Sequence, residues 1–403
     1  MGALSHLKVL DLSRVLAGPW ASQMLADLGA EVIKIERPDG GDDTRAWGPP
    51  FMPGADGESS GESAYFLCTN RGKQSVCVDL KSDEGQQTLR ALARDCDVVL
   101  ENFKVGDAAR YGLDYASLAV LNPRLVYCSI TGFGQTGPLR ERPGYDFLMQ
   151  AMGGLMSVTG QPDGSPGAEP MKVGVALTDV MTGLYAAVGI LAALAERERS
   201  GHGQHVDLAL LDVTAATLAN QATNFLVGGV NPGRLGNTHP SIVPYQSFVA
   251  RDGHLIVAVG NDAQFRRFVA VLECPELADD ARFASNQLRV RHREQLIPLL
   301  QARMLLRDKA DWLQRLAAAG VPAGPINSVA EVFAEPQIRA REMRVTVPHP
   351  LNPALELVGN PIKLSRTPVR YEAAPPLLGQ HTQSVLAALA AARQSGEPVG
   401  AED

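Results

Sequence analysis

Residues 8–35 read KVLDLSRVLAGPWASQMLADLGAEVIKI, and this stretch decides the fold class. Lys8-Val9-Leu10-Asp11-Leu12 is a short apolar strand, and Gly18-Pro19 marks the turn into a helix around Trp20 to Leu28. Glu31-Val32-Ile33-Lys34-Ile35 then supplies a second strand. A strand, a helix and a second strand within so few residues predict a βαβ unit, whose strands run parallel. Working outward, further strands are predicted at Ser75 to Leu80, Val98 to Leu100 and Leu125 to Ile130. Between them, Asp83 to Arg94 spaces its apolar residues for one packed helix face. The alternation predicts an α/β sheet whose edge loops collect a ligand.

The composition permits this and narrows the function. A chain of 403 residues can bury a large core and exceeds the usual size of one compact domain. Its 39 Gly and 27 Pro imply many turns without approaching collagen or disorder. A formal net charge of -7 gives no support to nucleic-acid binding, although it leaves room for a local cationic pocket. The five cysteines, Cys68, Cys77, Cys96, Cys128 and Cys274, form no close metal-ligand pair. They read as reduced structural thiols, so no metal is expected and a catalytic cysteine is disfavoured. No signal-like segment opens the chain, and no uninterrupted apolar run of membrane length is read elsewhere. The expectation is a cytoplasmic protein with no membrane partner.

Gly40 to Ser63, rich in Gly, Pro, Asp and Glu, is expected to be a long surface loop. Met152 to Pro170 is likewise broken by Gly and Pro. Asp179 to Glu198 reads as a small-residue, apolar helix in which Gly183 and Gly189 suit close packing, and a second helix is predicted from Val206 to about Leu226. Past Gly228 to Pro244, Tyr245 to Val249 and His254 to Val259 pair across Arg251-Asp252-Gly253. Helices follow near Ala263 to Leu272, His292 to Leu306 and Lys309 to Ala319, and Gly320 to Pro325 breaks the last.

The chemistry concentrates in a few motifs. Gly174-Val175-Ala176-Leu177-Thr178-Asp179-Val180-Met181-Thr182-Gly183 places a carboxylate at a helix start. By itself Asp179 there fits a first-turn or capping acid, and Thr178 fits the cap equally well. It is accompanied by Arg14-Val15-Leu16-Ala17-Gly18-Pro19, Glu101-Asn102-Phe103, Gly132-Phe133-Gly134-Gln135-Thr136-Gly137-Pro138 and Pro143-Gly144-Tyr145-Asp146. Together, and over most of the chain, these motifs resemble the family III CoA-transferases.

That resemblance implies a large Rossmann-like domain from residues 1–205 and 325–403, a helical linker at 206–227, and a smaller inserted α/β domain at 228–324. It also implies an interlocked homodimer and a covalent nucleophile at Asp179. The substrates are then an acyl-CoA and a free acid. CoA is carried as a substrate group, with no tightly bound prosthetic group. Related CoA racemases pair their aspartate with a histidine, and that position is Tyr145 here. Tyrosine, with a reference pKa near 10, exchanges protons poorly near pH 7. The substitution favours transfer over racemisation. A noncatalytic CoA-binding protein is the other alternative.

Further roles follow from the same resemblance. Val15 and Ala17 allow close backbone approach to CoA, and Leu16 stands where formyl-CoA transferase has a glutamine, which argues against oxalate specificity. Arg14 contacts an extra substrate carboxylate or stays solvated at the strand end. Arg37, Arg71, Lys73 and Lys104 are candidates for CoA phosphates, with ordinary surface charge as the alternative for Arg71 and Lys73. Asn102 and Phe103 bracket the adenosine or pantetheine, unless Phe103 is core. Tyr145 and Asp146 shape the reacting pocket, while Gln135 positions an acyl carboxylate or bonds its own loop. Arg234 or His239 reads a distal carboxylate, unless His239 caps a turn. The loop pattern is closest to transferases of short dicarboxylates, with succinyl-CoA as a sensible donor.

Overall fold

In a computed structural model describing residues 2–395, strands β1 (Lys8–Asp11) and β2 (Glu31–Glu36) flank helix α1 (Ala17–Asp27) and pair in parallel, Lys8 opposite Glu31. Strand β3 (Lys73–Cys77) adds to the β2 edge, and β4 (Val98–Glu101), β5 (Val126–Thr131) and β6 (His205–Ala209) extend the other side. The order is β3-β2-β1-β4-β5-β6, and every pair is parallel. This is the doubly wound Rossmann order, which reverses between β1 and β4 and opens a crevice above their C-terminal ends. The α/β class expected from residues 8–35 is the observed one.

Both faces of the sheet are covered, which explains why its strands are apolar on both sides. On one face Val9, Val32, Val98, Val126 and Ile130 pack with Ala21 and Leu25 of α1 and with Ala186 and Ile190 of the long helix Leu177–Ser200. On the other, Leu10, Ile33, Val76, Val99 and Tyr127 meet Leu89 and Leu92 of helix α2 (Asp83–Arg94) and Val385 and Leu389 of the C-terminal helix Thr382–Ser395. After β5 the chain forms helix α3 (Asp146–Met152) and then helix α4 (Leu177–Ser200), which crosses over to β6. Helices α5 (Leu210–Thr217) and α6 (Ala219–Gly228) follow.

The chain divides into two compact units, one of residues 1–155, 172–228 and 336–403, the other of 156–171 and 229–335. These borders differ from those expected. Residues 206–227 belong to the first unit, because Val206 lies in β6, opposite Cys128 of β5, instead of opening a helix. Residues 156–171 fall in the second unit, and the return comes at 336 instead of 325. Residues 323–325 are themselves a strand, paired with Gly253–Ala258, which pairs in turn with Tyr245–Ala250. Phe248, Phe265, Phe268 and Trp312 fill that unit's own core. The loop expected at Gly40 to Ser63 contains a 3-10 turn at Asp43–Ala46 and a hairpin of Phe51–Pro53 with Ser59–Ser63.

By length and mean hydropathy, 24 residues and 1.7, α4 is apolar enough to cross a membrane, a run the sequence reading passed over. Packing accounts for one face of it, since Thr182, Gly183, Ala186, Ala187 and Ile190 are buried, while Tyr185 and Val188 on the same helix are exposed.

Candidate active site

Asp179 is the third residue of α4, whose N-cap, Ala176, has no side chain to cap the helix. The cap is borrowed. Asp146, the first residue of α3, accepts from the backbone N–H of Thr178 at 2.8 Å and of Asp179 at 3.3 Å through the same oxygen. Gln150, one turn along α3, donates to the other Asp146 oxygen at 2.7 Å and accepts from the N–H of Val173 at 2.9 Å. Thr178 is not the cap, since it is buried with its hydroxyl 3.1 Å from that of Thr214. Two orphan helix donors are thus satisfied from a neighbouring helix, and Asp179 is left free of the capping task.

A helix N-terminus ordinarily holds a carboxyl group low. Here burial, reinforced by the negative charge of Asp146, wins and pushes Asp179 up to about 7. Tyr65 shares this field. Burial and then the Asp179 charge push its hydroxyl up to about 12, and its ring stands edge-on to Trp47.

Asp179 opens on a cavity of about 280 Å³ above the β1 and β4 ends, and Arg14, Val15, Leu16, Ala17, Asn102, Phe103, Lys104 and Tyr145 line it too. The loop from β1 to α1 is held rigidly there. Asn102 accepts from the Arg14 N–H at 2.9 Å and donates to the Arg14 carbonyl at 2.7 Å, so its amide clamps one residue through both of its peptide units. Val15 has φ 72°, a left-handed conformation that costs a β-branched residue roughly 1–3 kcal/mol. Close approach explains the glycine pair on the far wall. A Cβ on Gly132 would lie 2.7 Å from the Gly144 Cα, and one on Gly144 2.6 Å from the Gly132 Cα. The motifs Gly132 to Pro138 and Pro143 to Asp146 therefore meet through their glycines.

Several expected contributors lie elsewhere. Arg71 is buried, forms a two-point ion pair with Asp27 (2.8 and 2.6 Å) and donates to the Val358 carbonyl, so it is not free for a phosphate. Lys73 is buried too, with its ammonium on Asp11, the Pro19 carbonyl and Asn70, and burial lowers it to about 8. Sequence marks both as charged but cannot say that each already has a partner. Gln135 lines a second cavity of about 270 Å³, and its backbone N–H donates to Asp207 of β6, a bond that involves neither its side chain nor its own loop. Arg37 remains partly exposed, sharing Asp43 with Arg14 at 2.9 and 2.8 Å.

Arg234 and His239 belong to the second unit. Arg234 pairs with Asp163 and donates to the Gln161 carbonyl, while the His239 Nδ1 accepts from the Ser241 N–H, the turn-capping role named as its alternative. The sequence reading missed Gln150, Tyr65, Asp42 and Asp43, as well as Arg140 and Arg142 at the cavity wall. The spacing of Asp146 and Gln150, one helical turn apart, was the available signal for one of them. Among the described residues no cluster of three or more His, Cys, Asp or Glu side chains suits a metal ion.

A Rossmann-type sheet with a half-buried helix-start carboxylate facing its crevice is the arrangement of an α/β enzyme that takes its ligand at the C-terminal edge of the strands. More narrowly, the chain belongs to CoA-transferase family III, whose model matches residues 4–382. It is 52% identical over 395 residues to the succinate–glutarate CoA-transferase of Agrobacterium fabrum, covering 98% of each chain. It is 43% identical to the succinyl-CoA:glutarate CoA-transferase of Homo sapiens, covering 95% of this chain and 85% of the human one. The succinyl-CoA:mesaconate CoA-transferase of Haloarcula hispanica is 39% identical, with 96% of each covered. Among solved structures, a CAIB/BAIF family protein from Brucella suis superposes with a TM-score of 0.85 at 48% identity, covering 96% of this chain and 99% of that one.

Proposed function

We propose that this CoA-transferase moves CoA from succinyl-CoA to a second short dicarboxylic acid, glutarate or a close analogue, through covalent intermediates on Asp179. One observation carries the reading: a half-buried carboxylate, pushed up to about 7 by burial and by Asp146, faces a cavity walled by Arg14, Lys104, Arg140 and Arg142. Transfer names borne by relatives at 39–52% identity support the substrate class.

An Asp179 oxygen attacks the thioester carbonyl, the C–S bond breaks, and CoA leaves as its thiolate from a mixed anhydride. The thiolate attacks the Asp179 carbonyl, releases the donor acid as a carboxylate, and leaves an aspartyl-CoA thioester. The acceptor carboxylate then attacks that thioester and expels the thiolate again. Attack of the thiolate on the acceptor carbonyl forms the new acyl-CoA and restores the Asp179 carboxylate. No net proton is consumed. Both intermediates hydrolyse in water, so a sheltered site is required.

Val15, Ala17, Asn102, Phe103 and Lys104 are assigned to CoA in this reading, with Arg37 on a phosphate. The distal carboxylate of the acyl group is assigned to Arg14, which lines the same cavity as Asp179 and is held there by Asp43 at 2.8 Å. Exposed apolar side chains on α4 and α6, among them Tyr185, Val188, Leu226 and Val227, support an interlocked homodimer that would cover them. Cytoplasmic placement is proposed on the five unpaired thiols and is checked by cell fractionation.

The deciding experiment offers succinyl-CoA with a panel of unactivated dicarboxylic acids and identifies each acyl-CoA product by mass. Acceptor-dependent products are expected. Free succinate and CoA appearing at the same rate with and without acceptor would replace the reading with thioester hydrolysis.

A further inference from the structure

The two successive peptide units that join Ser13, Arg14 and Val15 between β1 and α1 are gripped by side chains from three other segments. The Ser13 carbonyl accepts from the Lys34 ammonium of β2 at 3.0 Å. The Arg14 N–H and carbonyl are clamped by Asn102, beyond β4. The Val15 N–H points at both oxygens of Asp42, each at 3.3 Å. Asp42 and Lys34 are themselves paired at 2.9 Å, and both side chains are wholly buried. One ion pair therefore holds the loop on either side of Arg14, at Ser13 through Lys34 and at Val15 through Asp42. Thr44 completes the Asp42 shell through its N–H and hydroxyl, at 3.0 and 2.8 Å.

Two features of this arrangement are unfavourable taken alone. A buried ion pair commonly contributes less to stability than an apolar pair of the same volume. Valine resists φ 72° because its branched Cβ crowds the backbone. Their juxtaposition gives each a purpose, since the conformation that valine resists is the one in which its N–H meets Asp42. Val15, with Arg14, Leu16 and Ala17, lines the cavity that holds Asp179. We propose that the buried Lys34–Asp42 pair is a positioning device for the CoA-transfer reaction, holding Val15 left-handed so that the Arg14 to Ala17 loop presents its backbone to the CoA thioester.

The proposal rests on the CoA-transfer reading, so its test uses a measurement independent of the acceptor acid. CoA affinity is read by calorimetry and KM values by steady-state kinetics. The double variant Lys34→Met/Asp42→Ala removes both charges and leaves neither stranded. It is expected to melt near the wild type yet bind CoA at least tenfold more weakly, with the acceptor KM unchanged. Adding Val15→Gly, which accepts positive φ without strain, is expected to recover at least threefold of that loss without raising Tm. A purely structural pair would show no such rescue. Val15→Pro, whose ring forces φ near −65°, is the second test and is expected to weaken CoA binding at least tenfold in a folded protein. Wild-type CoA affinity in Val15→Pro or in the double variant would overturn the proposal, as would a triple variant no better than the double. Wild-type protein that binds CoA but transfers none would instead sink the transfer reading and leave the affinities to judge the loop.

Discussion

In the proposed mechanism Asp179 must be an anion when it attacks, yet burial and Asp146 favour its neutral form until about pH 7. Transfer should therefore rise with pH through about 7, because only the deprotonated carboxylate is nucleophilic. Asp146→Asn keeps an oxygen that can cap α4 but removes the neighbouring charge, so the acidic limb of kcat/KM should move to lower pH. An unmoved limb would show that Asp146 does not set it. Stability runs the other way. Because the folded pKa lies above the ordinary 3.8, the contribution of Asp179 is fully present below that value and is lost as pH rises through about 7. Asp179→Asn should abolish transfer by a factor of at least about 10³, in line with loss of a nucleophile. The same variant should melt higher than the wild type at pH 8 and show little difference at pH 4. At this scale the sequence showed residues that sit inside contiguous motifs, Asp179, Tyr145 and the Arg14 loop among them. It did not show Gln150 or Asp42, which act through partners 23 and 27 positions away along the chain.

Helices α1 and α4 lie against each other on one face of the sheet, which brings the Arg14 loop and Asp179 to the same crevice. Gly183 permits this, since a Cβ there would stand 2.7 Å from the Ala17 carbonyl and 3.0 Å from the Trp20 side chain. Gly183→Ala should destabilise the fold by roughly 1–3 kcal/mol in urea unfolding, because a backbone oxygen cannot rotate aside as a side chain can. A change within experimental error would show that the helices re-pack freely. Element type was legible wherever period and cap agreed. Helix α2 ends where its amphipathic pattern ends and starts at Ser82, whose hydroxyl accepts from the Gly85 N–H. Strand β6 was misread because it is short, half exposed at the sheet edge and followed directly by helical sequence.

At the scale of the whole molecule, segments from opposite ends of the chain close the first unit. Asp27 of α1 accepts from Arg71 and from Asn360, and Arg71 reaches the Val358 carbonyl. His381 and Thr382 accept from the backbone N–H groups of Ser75 and Cys77 along the β3 edge, so the C-terminal segment covers a strand otherwise open to pairing. Asp27→Ala strands a buried guanidinium and should cost about 3–5 kcal/mol by denaturant unfolding, whereas Asp27→Leu with Arg71→Met should recover most of it. Equal losses in the single and double variants would assign the effect to packing instead of charge.

Local periodicity and turn residues were enough to determine the βαβ class, because those signals act between near neighbours in the chain, while Asp179 was singled out by a family resemblance carried by motifs spread over most of it. Which cations face the crevice was decided only in three dimensions. Arg71 and Lys73 look identical in sequence to free surface charges, but their partners lie 44 and 62 residues away. Only a folded backbone brings such groups within Coulomb range, and there the cost of leaving a buried charge unpaired settles which of them stay available to a ligand.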